Sequence, residues 1–385
     1  MDISFKFNPE VIIGSDTLSM AGTIASRHGS RIMIAADHGL DGQTVNRLKE
    51  ILTDSGLEAI IFDGIEESSS VEMAENIVEL SRAAHCDAII GFGGQKTQVI
   101  ARMAAIMAPM HITAFELLDG RNFGTKFLPL LSIPTEGLDA FSAAEYFIAA
   151  DPRSRLVKSI PSPADLYSAI IIDSNLFKFI SDNNAMSFVL EGFFNAAEGF
   201  CSSRSNFISD ALLERALSFY IKLLRGAGNA ANGAANGTSD ANAELFAQAN
   251  FLTALGSSAS SPGLGAVLSI AINARAPVAR PLCSAALCPV IAERLVSARP
   301  EKMSRIASFL GAPKPASVAE GAASSVEAIK KLMTTLNIPD TLKEYNIQLD
   351  RLTAAAEAAR SLDLTANSPW TVSEEEVFKI LKQII

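Results

Sequence analysis

Three polar side chains at helical spacing mark the first place in this sequence where chemistry is expected. Within residues 188–200, FVLEGFFNAAEGF, Glu191, Asn195 and Glu198 fall at i, i+4 and i+7 of an otherwise apolar segment, so they share one helix face. Two carboxylates and an amide in such a setting need partners, because unpaired buried charge is costly. They suit a ligand set, an ion-pair anchor or the remnant of a reactive site, and the segment alone does not choose. The histidines narrow the choice. There are four, His28, His38, His85 and His111, and none follows His111. A metal centre or general base in the second half must therefore do without histidine. The four cysteines, Cys86, Cys201, Cys283 and Cys288, form no paired framework, and the last two lie five apart rather than at CxxC spacing. They read as small buried apolar residues in a reducing cytoplasm.

The elements that must position these residues change character along the chain. Arg31–Ala36 is a short apolar run ending at Asp37-His38-Gly39, a strand running into a turn. Val45–Leu57 has helical spacing, Glu58–Asp63 is the next strand, and Ser70–Ala84 is helical with Ser69 or Ser70 as N-cap. Asp87–Phe92 is a third strand, followed by Gly93-Gly94 and a helix over about 97–107. Leu128–Ile133 is a fourth, with Pro129 near its start. Alternation of this kind predicts a parallel sheet covered on both faces, with ligands at the carboxyl ends of its strands. After about Pro161 the pattern turns helical, Ile170–Asp173 being the last strand-like run. Helical spacing then recurs over 184–200, 208–226, 241–256, 263–276, 284–298, 302–311, 317–336, 340–345, 349–361 and 373–384. The fold class is thus an α/β domain with a Rossmann-like parallel sheet over 1–162, followed by an all-α domain over 163–385. The tract GAGNAANGAANG at 226–237 reads as a surface loop between helices.

A chain of 385 residues has room for two cores. Its formal net charge of −10 argues against a nucleic-acid partner, which requires a basic face. The opening MDISFKFNPE has no secretory pattern, and no run of about 18 apolar residues predicts a membrane span.

Set side by side, these stretches resemble the iron-containing alcohol dehydrogenase family, in the fold group shared with glycerol dehydrogenases and dehydroquinate synthases. FKFNPEVIIGSDTL is similar to the family's opening strand and turn, DAIIGFGG to its strand and GGGS, and SIPTEG to the start of its PTT-x-GTGSE stretch. IIIDSNL, EGFFNAAEGF, SSPGLGAVLSIAINA, ARPLCSAALCPVI and the terminal segment follow in the family's order. The resemblance implies NAD binding. Asp37 would accept from the adenosine ribose, favouring NAD over NADP. Gly93 and Gly94 would let backbone N–H groups approach the diphosphate, with Gln95 and Lys96 where the family has Gly and Ser. Thr135 and Lys158 fall at further cofactor-side positions, while the family's Asp and Lys on the helix after GGGS align with Val99 and Arg102. From Glu136 to Ser142 the chain departs from the family's small hydroxyl residues. A homodimer goes with the same expectation.

The metal positions depart most. The family's Asp and His four apart on one helix become Glu191 and Asn195, and its further histidines align with Ala266, Ile270 and Arg280. Asn is a poor transition-metal ligand and Arg is a fixed cation, so neither iron nor zinc is expected there. The expectation is instead a Glu191–Arg280 salt bridge with Asn195 completing the hydrogen bonds, a pair that costs about 3–5 kcal/mol to break from one side. Glu198 then has a structural hydrogen-bonding role. Three functions fit: an NAD(P)-dependent oxidoreductase acting on a small alcohol or carbonyl through Arg280, Glu191 and Asn195; a catalytically inactive binding or regulatory protein; and a structural subunit.

Overall fold

A computed structural model describes residues 5–66, 70–122, 124–154, 156–181, 185–231, 239–347, 353–354, 356–357, 362 and 367–385. Six parallel strands form the sheet: β1 (Glu10–Gly14), β2 (Arg31–Asp37), β3 (Glu58–Ile65), β4 (Ala88–Gly93), β5 (Leu130–Pro134) and β8 (Tyr167–Asp173), in the order β1-β8-β5-β4-β2-β3. An antiparallel hairpin, β6 (Tyr146–Ala150) and β7 (Val157–Pro161), stands beside it. Periodicity gave no sign of this hairpin, because its strands are short and lie in a stretch without clear alternation. β8 follows residue 162 yet lies between β5 and β1, so the sheet takes one strand from the second segment.

Parallel strands buried on both faces need apolar residues at successive positions, and β4 and β5 are buried throughout. Alternate residues of β2 serve opposite cores. Ile32 and Ile34 pack with Leu48 and Leu52 of α2 (Gly42–Asp54) and Ile24 of α1 (Ala21–Ala25). Met33 and Ala35 pack with Ile77 of α3 (Met73–Ala83) and Ile100 of α4 (Gln95–Met107), in a core that continues into the helical region. Asp41 caps α2, its carboxylate accepting from the Gln43 N–H. α3 starts later than its spacing suggests. Ser70 does accept from the Glu72 N–H, but the helix begins at Met73, and Ser69 lies outside the described residues. A capped short helix, α5 (Ala114–Leu118), precedes β5.

The helical region is built around α6 (Met186–Cys201), which is buried at every position but Phe188. It packs against α7 (Phe207–Ala231), α8 (Ser239–Ala259), α9 (Leu264–Asn273) and α10 (Arg280–Ala298). The first half of the tract at 226–237 is not a loop: α7 runs on to Ala231, alanine sustaining the helix, and 232–237 lie outside the described residues. α11 (Pro300–Phe309), α12 (Val318–Thr335) and α13 (Glu374–Gln383) close the region, and 343–345 form a 3₁₀ turn. Most of the helix expected over 349–361 lies outside the described residues. By length and composition α10 is apolar enough to cross a bilayer, although Arg280, Glu293 and Arg294 interrupt its apolar run, and it is largely buried inside the fold.

Candidate functional site

β3 and β4 lie on opposite sides of β2, so the strand order reverses there and the carboxyl ends of β2 and β4 open a crevice. Asp37 ends β2, and Gly93 and Gly94 follow from β4 into α4. The Asp37 carboxylate ties the two ends together. Oδ2 accepts from the Gly94 N–H at 2.5 Å, and Oδ1 accepts from the Thr97 hydroxyl. A Cβ on Gly93 would lie 2.5 Å from Asp37 Oδ2 and 2.9 Å from Thr97 Cβ, so only glycine allows this approach. Thr135 joins the same turn, its N–H donating to the Gly93 carbonyl at 3.2 Å. Asp37, His38, Gly94, Lys96, Thr135 and Glu136 line a cavity of about 650 Å³.

Lys96, Glu136 and Phe188 also line a neighbouring cavity of about 410 Å³, which reaches Asp139, Glu191 and Arg280. Arg280 is the first residue of α10, and its guanidinium faces two buried carboxylates. Its Nε lies 2.8 Å from Glu191 Oε1, an ion pair off the line of the N–H bond, and its Nη2 lies 3.3 Å from Asp139 Oδ1. Nη1 donates to Asp139 Oδ2 at 3.4 Å, making a long two-pronged contact. The Ser284 hydroxyl donates to Glu191 Oε1 at 3.4 Å. The Glu191–Arg280 bridge expected from the sequence is present.

Asn195 does not complete its hydrogen bonds. Its Oδ1 is buried with no partner among the described residues, and Asn195 does not line the cavity. One turn beyond Glu191, it is buried, and Ser284 and Asp139 take the polar role expected of it. Asp139 was missed because it stands in the loop after β5, 141 positions from its partner, and the only local signal was a lone acid among buried residues.

Environment pushes the two carboxyls apart. Burial opposes ionisation of Asp139, but Arg280, the Phe141 N–H and Arg102 together hold it below the usual carboxylate range. Glu191 moves the other way: burial raises it, Arg280 opposes the rise, and the Asp139 charge adds to it. Arg102 is itself buried, bonded to the Tyr167 hydroxyl and the Phe141 carbonyl, with its guanidinium 4.8 Å from the Tyr167 ring centroid. Glu198 lies apart from the cavities and caps α9, accepting from the Gly265 and Ala266 N–H groups at 2.8 and 2.9 Å. Burial nonetheless raises it to about 7.

Lys158 is not brought to either cavity. It sits on β7, with Nζ 2.9 Å from Asp119 Oδ1 and 3.1 Å from Asp151 Oδ2. Partial burial lowers its pKa, but these two carboxylates outweigh that and raise it. Its ion-pair partners come from the end of α5 and from the hairpin turn.

The sequence model described as "Iron-containing alcohol dehydrogenase" matches residues 8–174, and that of the "Fe-containing alcohol dehydrogenase family, C-terminal" matches 186–385. The chain belongs to the iron-containing alcohol dehydrogenase family. It is 23% identical over 367 residues to a sulfoacetaldehyde reductase of Bilophila wadsworthia (strain 3_1_6), covering 94% of this chain and 93% of that one. It is 22% identical over 360 residues to a 1,3-propanediol dehydrogenase of Citrobacter freundii, covering 92% and 91%. The crystal structure of a 1,3-propanediol oxidoreductase superposes with a TM-score of 0.88 at 21% identity, over the whole of both chains. A sulfoacetaldehyde reductase from Bifidobacterium kashiwanohense in complex with NAD+ gives 0.81 at 15%, over 100% of this chain and 99% of that one.

The family's description carries iron, and the donors around Glu191 do not suit it. Ala266 and Ile270 offer no ligating side chain, and the Arg280 guanidinium stands against the Glu191 carboxylate. Among the described residues no three His, Cys, Asp or Glu side chains group to hold an ion. The crevice suits a nicotinamide dinucleotide in its glycine turn, in the helix N-terminus behind that turn, and in the acid at the end of β2.

Proposed function

We propose that the protein is an NADH-dependent reductase of small carbonyl compounds in which Arg280, rather than iron or zinc, polarises the carbonyl oxygen. The observation that carries this reading is the Asp139–Arg280–Glu191 cluster on the wall of the 410 Å³ cavity. A guanidinium has five N–H donors; Asp139 takes one from each Nη of Arg280, while Nε lies against Glu191 as an ion pair without a hydrogen bond, which leaves two N–H groups on the Nη nitrogens. The remaining two can bind an oxygen that gains negative charge, in a buried setting where such contacts are strong. Asp139, held ionised, fixes the guanidinium. Glu191, pushed toward its protonated form, is the group placed to hand a proton to that oxygen; two carboxyls whose pKa values are driven apart make an acid and its counter-charge.

When bound, the nicotinamide supplies the hydride, so one hydride and one proton convert the carbonyl to an alcohol. Asp37, Gly93, Gly94, Lys96 and Thr135 hold its adenosine and diphosphate side, Asp37 favouring NAD over NADP. The aldehyde reductases and alcohol dehydrogenases among the relatives, and the NAD+ complex in the same fold, support the substrate class and cofactor. We place the protein in the cytoplasm as a homodimer, and its four free, buried cysteines suit a reducing compartment.

The test is NADH oxidation against a panel of short aldehydes, with protein stripped by chelator and analysed for metal. Activity should survive stripping, fall by at least about a hundredfold in Arg280→Met, and decline as pH rises through the Glu191 pKa, with Glu191→Gln removing that decline. Activity that vanishes on stripping and returns with ferrous ion or zinc overturns the metal-free reading. Protein that binds neither NAD nor NADH is a binding or regulatory protein instead.

A further inference from the structure

We propose that Glu136 occupies the diphosphate subsite of the crevice from within the chain and sets which nucleotides it accepts. The inference rests on the nucleotide reading above. The position that a Cβ on Gly94 would take lies 2.2 Å from Glu136 Oε2, 2.6 Å from its Cδ and 3.2 Å from its Cγ. The Glu136 side chain therefore runs along the outer face of Gly94. Gly94 is the N-cap of α4, a helix of 13 residues, and that face is where backbone N–H groups and the helix dipole favour an anion. Glu136 sets its carboxylate against Gly94 at that end of the helix.

Placement adds a second, independent observation. Glu136 lines both cavities and so stands at their junction. A dinucleotide reaching from Asp37 to Arg280 has to carry its phosphates past that point. Two like charges a few ångströms apart repel strongly near a protein surface, so the Glu136 side chain must swing out before a diphosphate can enter. Adenosine, which fills only the side near Asp37, does not meet it. Glu136 is a specificity residue: it weakens binding of every ligand with a diphosphate and leaves an uncharged nucleoside alone.

The experiment is calorimetric titration of adenosine, ADP and NADH into the full chain and into its Glu136→Gln and Glu136→Ala variants, with thermal midpoints to confirm folding. Glu136→Gln keeps the size of the side chain and removes the charge. ADP and NADH should bind at least about tenfold tighter to both variants, with adenosine unchanged within about twofold. Equal affinities of each ligand for all three proteins would overturn the assignment and leave the nucleotide reading standing. Tightening of adenosine by the same factor would overturn it too, since the effect would then be one of space. If none of the three ligands binds any of the three proteins, the nucleotide reading itself fails, and the role of Glu136 with it.

Discussion

The glycine crevice and the arginine cluster lie side by side and share Lys96, Glu136 and Phe188, yet they are put together in opposite ways. The crevice is held through backbone groups: the Gly94 N–H donates to the Asp37 carboxylate, the Thr135 N–H donates to the Gly93 carbonyl, and a glycine stands where no side chain fits. The cluster is held by charge. Three ionisable groups from α6, α10 and the loop after β5 meet in the interior, with the Ser284 hydroxyl on Glu191 and the Phe141 N–H on Asp139 as their neutral partners. A backbone-built site tolerates changed side chains around it, whereas a charge-built site depends on every member being present.

Removal of the cation tests that contrast most severely. Arg280→Met leaves Asp139 and Glu191 buried together without a counter-charge, which should cost about 3–5 kcal/mol in urea unfolding at neutral pH. The loss should shrink in acid, where both carboxyls bind protons. The triple variant Arg280→Met, Asp139→Asn, Glu191→Gln should recover most of it, because no uncompensated charge remains. A single Arg280→Met protein as stable as wild type would show that charge does not hold the cluster.

Glu198 sharpens the comparison from the helical side. It is a buried carboxyl like Glu191, but its partners are the two backbone N–H groups of α9. Burial raises its folded pKa to about 7, above the ordinary 4.5, so the folded state binds the extra proton between those values. Stability from this group is fully present below pH 4.5 and is lost as pH rises through 7, by about 3 kcal/mol in all. Denaturation from pH 4 to 8 should show this fall, and Glu198→Gln should flatten it. A wild-type profile that stays level over that range would refute the assignment.

How much of this was readable in the sequence follows from the same division. The crevice was legible because its parts are local: an apolar run ending at Asp37, another ending at Gly93-Gly94, and parallel strands that bring such ends together. Half of the cluster was legible. Glu191 and Arg280 are opposite charges in two apolar helical segments, so an ion pair between them followed from charge. Asp139 and Ser284 were not, since their roles depend on the path of the loop after β5 and on the rotation of α10, neither of which periodicity reports. Asn195 failed for a related reason. Spacing put it on the face of Glu191, but a 100° step per residue does not say which of two side chains one turn apart reaches a cavity.

Within the crevice, Gly93 carries the larger expected cost. Ala at 93 would set its Cβ 2.5 Å from Asp37 Oδ2 and 2.9 Å from Thr97 Cβ, at a φ of 159°. The carboxylate that ties β2 to α4 would have to move, so Gly93→Ala should lose about 1–3 kcal/mol and weaken nucleotide binding with it. Thermal unfolding and NADH titration read both effects.

Gly94→Ala should cost far less, although the nominal clash is tighter. The Cβ would lie 2.2 Å from Glu136 Oε2, but that atom is the far end of a flexible side chain, and Gly94 already has an ordinary φ of −72°. The close atom is a side-chain tip rather than backbone, and the Asp37 contact uses the Gly94 N–H, which alanine keeps. The stability change should stay within about 0.5 kcal/mol. A loss as large as that of Gly93→Ala would mean that Glu136 is locked in place, and that the crevice, like the cluster beside it, depends on a charge that cannot move.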